Sequence, residues 1–296
     1  MESNNAEPLI RAAKEYGSVD ILVVDGKSVA SVPSGRTLAS FKKYLDEYLP
    51  QPERKKGTAK LTTLGSFIAH VNRHKDGNSV IFADDNAQKP ALLAVYDYNE
   101  SGPTGGARWG EHRAVYDFPV SDEWRAWQVS KSWLAMDAFA AFLEERILDV
   151  MLPQDTADQK LGDGIKEFAV NLGITLATPQ RLMELSRGLQ INVGSTVVQA
   201  INIGSGEGQI QFTEEHKGTD GAPIRIPGGF AIAIPVFRGG ASYQIPVRLR
   251  YRVEKGSVVW NMSLQRVEAC FADAIVEAAE QAAKETETPS MYGKPE

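Results

Sequence analysis

Between Tyr243 and Arg266 the chain alternates apolar and polar residues on both sides of Lys255-Gly256, and this alternation fixes one antiparallel register. With Lys255-Gly256 as a two-residue turn, Val253 faces Val258, Tyr251 faces Trp260, Leu249 faces Met262 and Val247 faces Leu264. Each of these pairs is apolar. The opposite face carries Arg248 across from Ser263, Arg250 across from Asn261 and Arg252 across from Val259. A slip of one residue would turn the whole apolar set to water, so the hairpin has to lie against a second layer with its arginines outward.

The surrounding segments extend this hairpin into a meander. Residues 190–203, 209–213, 229–237, 243–253 and 257–266 are β-rich and separated by glycine turns, which reads as an antiparallel sheet. A helix over 267–284, with Phe271, Ile275 and Ala278 on one stripe, is expected to cover a sheet face, and the polar residues 285–296 are expected to trail off as a disordered tail. Nearer the N-terminus, residues 8–16 and 37–49 have helical character and Val19 to Asp25 reads as a strand turning at Asp25-Gly26. Thr63 is placed to cap a helix carrying Phe67, Ile68 and Val71, strands follow at 79–83, 91–98 and 114–118, and a helix follows with Trp133, Met136, Phe139, Ala140, Leu143 and Ile147 in phase. Residues 161–188 are helical, with Pro179 opening a second helix.

The fold class is therefore α+β: an N-terminal mixed α/β region, central helices, and a C-terminal antiparallel meander covered by a helix. The expected divisions are an N-terminal extension over 1–60, an α/β region over 61–153, a helical connector with sheet and closing helix over 154–284, and the tail.

Composition narrows the function classes. A formal net charge of -6 and a pI near 5.4 give no whole-molecule attraction to polyanions, so any nucleic-acid contact needs a local basic patch. Cys270 is the single cysteine, which excludes an internal disulfide and a zinc site built from thiolates. The polar, acidic start and an apolar run no longer than Phe230 to Phe237 read as a cytoplasmic chain without a leader or membrane span.

No catalytic constellation is legible, and no cofactor or metal is expected. Gly204-Ser-Gly-Glu-Gly208 precedes a strand pattern rather than a helix, lacks a following Gly-Lys-Ser/Thr, and carries Glu207, so it reads as a hairpin loop and not a phosphate loop. His70 and His74, two of four histidines, are one helical turn apart, without the intervening glutamate of a zinc-binding helix. The acidic pairs Asp84-Asp85, Asp122-Glu123, Glu144-Glu145 and Glu214-Glu215 have no partner that would single one out, and Asp122-Glu123 after Ser121 fits a helix start.

The candidate binding residues are basic and aromatic. Arg248, Arg250 and Arg252 share one strand face and Arg238 is placed to join them, a pattern suited to a phosphate backbone or an acidic subunit neighbour. Trp124 and Trp127 flank Arg125 at helical spacing; core burial is the default for such residues, and base stacking or partner anchoring is the alternative.

Four segments carry a resemblance: Thr62 to Phe67, Ser121 to Trp127 with its Trp-x-x-Trp, Phe139 to Glu144 with its Phe-x-x-Phe-Leu-Glu, and Pro246 to Glu268. Over about residues 60 to 280 they resemble the YfdQ-like family of bacteriophage and prophage proteins. The resemblance implies a phage or prophage origin and a host cytoplasmic setting, and it brings no catalytic residues. The first expectation is a non-enzymatic, self-associating binding protein whose open sheet edges are covered by symmetric pairing. A single-stranded nucleic-acid-binding accessory of phage replication or recombination is the second, and a nucleotide-binding or sequestering anti-defence protein is the third.

Overall fold

The computed structural model describes residues 11, 20–24, 27–31, 50–128, 132–157, 159–191, 197–202, 208–212, 224–254 and 257–295. In chain order the strands are β1 Asp20–Val24, β2 Lys27–Ser31, β3 Gly57–Leu61, β4 Val80–Asp84, β5 Ala91–Val95, β6 His112–Asp117, β7 Leu134–Ala135, β8 Val197–Asn202, β9 Gly208–Phe212, β10 Ile224–Ile226, β11 Gly229–Pro235, β12 Ser242–Glu254, β13 Ser257–Leu264 and β14 Ser290–Tyr292. The α-helices are α1 Leu64–His74, α2 Asp122–Trp127, α3 Met136–Arg146, α4 Asp163–Leu172, α5 Pro179–Ile191 and α6 Val267–Thr286. The chain is a mixed α+β protein whose sheets are mostly antiparallel.

Two compact units divide at residue 55. In the first, β1 and β2 form an antiparallel hairpin. Arg11 is helical. The rest of the helix expected over 8–16, the turn at Asp25-Gly26 and the helix expected over 37–49 lie outside the described residues.

The second unit, Lys56–Glu296, has one continuous main core. Phe67, Leu143, Leu182, Trp260 and Ala282 all belong to it, so residues before and after Pro153 pack together although the composition suggests a break there. A five-stranded mixed sheet in the order β14-β4-β5-β6-β3 forms one side. Its strands read with period two: Ile81, Ala83, Leu92, Ala94 and Ala114 enter the main core, while Val80, Phe82 and Val95 form a smaller cluster elsewhere. Thr63 starts α1 as expected, its extended backbone and side-chain oxygen accepting the Ser66 amide at 3.1 Å, and α1 buries Phe67, Ile68 and Val71.

Two outer strands of this sheet are absent from the sequence reading. β3 pairs in parallel with β6 just after the basic run Arg54-Lys55-Lys56, and its exposed Thr58 and Lys60 hide it from any hydrophobic pattern. The expected disordered tail is the second case, and the structure corrects it: residues 290–292 form β14, in parallel register with β4. The helix before it ends on Glu287 in the left-handed region, with the Thr288 amide bonded to Ala283 O at 3.2 Å. Thr286 and Thr288 are buried, Lys75 Nζ donates to Thr286 O, the Ile81 amide bonds Pro289 O at 2.9 Å, and Lys294 meets Asp84 at 3.0 Å. Backbone pairing and polar contacts hold this segment, and a hydrophobicity pattern does not report them.

The second sheet runs β11-β12-β13-β7 and is antiparallel throughout. The β12–β13 register is the one expected: Val253↔Val258, Tyr251↔Trp260, Leu249↔Met262 and Val247↔Leu264 on one face, Arg248↔Ser263, Arg250↔Asn261 and Arg252↔Val259 on the other. The turn residues Lys255 and Gly256 lie outside the described residues. Trp260 is fully buried and stacks on Phe139 of α3, with ring centres 4.6 Å apart and planes within 8°. β8, β9 and β10 form a separate three-stranded antiparallel sheet.

Candidate functional site

The outward face of β12 changes character along its length. β11 pairs with β12 only as far as Gly229↔Arg248. Beyond it the Leu249 amide reaches Gly228 O at 3.2 Å, and Arg250 to Glu254 continue in register with β13. The part of the outer face near β11 is covered: Ala231 packs with Met151, Leu161 and Ile165, and Gln244 holds the segment before α4 through Gly162 N at 2.7 Å and Lys160 O at 2.8 Å.

The arginines follow this gradient and do not form a uniform stripe. Arg248 is half-buried and donates to Gly228 O at 3.1 Å. Arg252 is exposed, yet its guanidinium carbon stands 4.1 Å over the centre of the Trp133 ring and its Nη2 lies 2.5 Å from Glu254. Arg250 is exposed and makes no hydrogen bond or ion pair among the described residues. Arg238 does not join this group. It follows β11 and lies 3.6 Å from Asp122, at the start of α2. The sequence pattern places Trp133 on the apolar stripe of the helix; the structure starts α3 at Met136 and leaves Trp133 39% exposed ahead of β7.

The two tryptophans considered for stacking are core residues. Trp124 and Trp127 are 5% and 0% exposed, and Trp127 donates from Nε1 to Asp149 Oδ2 at 2.7 Å. Ser121 caps their short helix by accepting the Trp124 amide at 2.9 Å, and its hydroxyl donates to Pro235 O at 2.5 Å. The first turn of α2 thus anchors to β11, which turns both indoles inward and takes their faces away from any base.

Three histidines meet where α1 leans on β5 and β6. His70 Nδ1 and Tyr96 Oη are 2.7 Å apart, and the ring centres of His70 and His74 are separated by 4.6 Å, those of His74 and His112 by 5.2 Å. Burial pushes the Tyr96 hydroxyl well above the ordinary tyrosine range. The sequence pairs only the first two; His112 arrives through the β5–β6 register, which sequence spacing does not show. Among the described residues no group of three His, Cys, Asp or Glu side chains is disposed to hold a metal ion. Of the glycine-rich loop, only Gly208 is described, as the first residue of β9. Cys270 is half-buried, and burial raises its thiol above the ordinary range. No helix among the described residues is long and apolar enough to cross a membrane.

The chain matches the family described as "Uncharacterized conserved protein (DUF2303)" over residues 4–295. It belongs to that family. The DUF2303 match takes in the N-terminal unit as well, which the resemblance carried by the tryptophan and phenylalanine motifs leaves out. No curated protein and no solved structure matches the chain.

Proposed function

We propose that this protein acts by binding rather than by catalysis, and that it does so as a homodimer joined through the open edge of β12. The observation that carries the reading is the run from Arg250 to Glu254, which pairs with β13, extends past the end of the β11 register at Arg248 and is self-complementary. A second copy added antiparallel about Arg252 places Arg250 opposite the other copy's Glu254, and Tyr251 opposite its Val253. Val253 is 43% exposed on the otherwise apolar face, so the added strand removes that surface from water. The two Arg252 side chains face each other at the axis, where like charges are normally unfavourable; here each is neutralised by its own Glu254 and stacked on its own Trp133. Symmetric pairing of this kind also removes an aggregation-prone edge. The YfdQ-like resemblance supplies the proposed setting: a protein encoded by a phage or prophage and working in the host cytoplasm.

Charge exchange tests the register. Arg250→Glu and Glu254→Arg singly should each dissociate the dimer, and the double exchange, which restores the opposite pairing, should recover it. Three variants with the same mass in solution as the wild type would refute the β12 interface.

A further inference from the structure

At a distance along the fold from the β12 edge, a cleft of about 310 Å³ opens between the start of α1, the turn after β11 and one side of α6. We infer that this cleft binds a nucleoside monophosphate, with guanine preferred as its base. This inference is independent of the dimer.

Three features of the lining set the ligand class. The first is an aromatic wall. Phe118 and Phe237 lie 4.6 Å apart by ring centres and Tyr116 meets Phe118 at 5.0 Å, so at 3–7% exposure these packed rings give a planar guest an apolar floor of ring edges and no open faces. The second is a set of donors suited to a phosphate. Thr63 uses its hydroxyl oxygen on the Ser66 amide, which leaves the amides of Leu64 and Gly65 without partners among the described residues at the positive end of an 11-residue helix. A Cβ built on Gly65 would meet nothing within 4 Å, so the approach to this backbone is open. Arg238 lines the same cleft, with its side chain 63% exposed. Its only ion-pair partner among the described residues is Asp122 at 3.6 Å, and Asp122 is held more closely, at 2.9 Å, by Arg125.

The third feature is an oriented acceptor. Glu277 of α6 takes the Tyr243 hydroxyl on Oε2, which fixes the carboxylate against the wall of the cleft. A fixed carboxylate accepts the adjacent N1–H and N2–H donors of a guanine edge, whereas adenine presents no such pair. Tyr116 points separately to a ligand. It is 97% buried by the complement of its 3% exposure, it lines the cleft, and its hydroxyl makes no hydrogen bond among the described residues. The hydroxyl oxygen is not sealed from solvent, so it stands at the cleft wall where a polar guest can take it as a partner. At about 310 Å³ the cleft lies at the lower end of the roughly 300–1,000 Å³ range of small-ligand sites.

The test is calorimetric titration of the full-length protein with GMP, AMP, guanosine and inorganic phosphate in parallel. GMP should bind at least tenfold more tightly than each of the others. Arg238→Gln should weaken GMP toward the affinity of guanosine, Glu277→Gln should abolish the preference for GMP over AMP, and Gly65→Ala should weaken GMP while the melting temperature stays at or above that of the wild type. Each variant is checked for an unchanged far-UV spectrum. Absence of GMP binding to folded wild type at millimolar ligand, phosphate binding as tight as GMP, or GMP affinity unmoved by Arg238→Gln and Glu277→Gln would overturn the inference.

Discussion

Arg252 holds its guanidinium carbon 4.1 Å above the Trp133 ring, across from the hairpin position where β13 carries Val259. Trp133 precedes β7, the two-residue strand that pairs Leu134 with Trp260 and Ala135 with Val259, so the indole lies on the β7 side of β13 and Arg252 reaches it across that strand, away from the open edge of β12. The contact links a loop residue to the hairpin without burying either partner.

Removing that contact should cost little stability in the monomer. Trp133→Ala is expected to lower unfolding free energy by about 0.5–1 kcal/mol, the range for an exposed cation–π pair. Urea denaturation at low protein concentration measures it, and a loss of several kcal/mol would place Trp133 in the core instead.

Trp260 stands at the other extreme. It is fully buried and stacked on Phe139, so Trp260→Ala should cost about 3–5 kcal/mol. Its Nε1 has no hydrogen-bond partner among the described residues. Trp260→Phe removes that N–H together with part of the ring and should cost far less than the alanine change. Trp109, 63% exposed, serves as control, with Trp109→Ala within about 0.5 kcal/mol of wild type.

Asp76 gives a pH dependence with a defined sign. The Arg108 guanidinium, bonded to Oδ2 at 2.6 Å, holds this carboxylate below its ordinary range, helped by the Asn78 amide and the Ser79 hydroxyl. A lowered folded-state value means that its stabilisation is present above the unfolded-state value and lost as pH falls through the folded one. Asp76 is 47% exposed at its side chain, so solvent screening limits the pair to less than about 1 kcal/mol. The melting-temperature gap between wild type and Asp76→Asn should therefore be open at neutral pH and close as pH falls below the ordinary aspartate range. A gap that widens on acidification would contradict this assignment.

Gly65 occupies the first turn of α1 without a positive φ and with open space around it. Gly65→Ala should raise stability by about 0.4–1 kcal/mol, because alanine has less unfolded-state freedom to lose. Thermal unfolding measures it, and destabilisation would mean that the helix start needs glycine.

What the sequence showed and what it hid divide along physical lines. The β12–β13 register, the Thr63 cap and the apolar stripe of α1 are local patterns with period two or 3.6, and all three stand in the structure as expected. Trp124 and Trp127 illustrate the limit: helical spacing brings them together without saying which way they face, and the Ser121 anchor to Pro235 decides it. β14 and the third histidine, His112, depend on pairings distant in sequence, and the Arg248 to Arg252 gradient depends on where β11 stops. No local window carries those facts.

Light scattering of the purified protein across a hundredfold dilution tests the dimer through the β12 edge. The dimer gives a particle of twice the 32.3 kDa chain mass that yields single chains only at the lowest concentrations, and the Arg250→Glu variant lacks it. A 32.3 kDa species alone at every concentration, or a larger particle equally formed by Arg250→Glu, would contradict it.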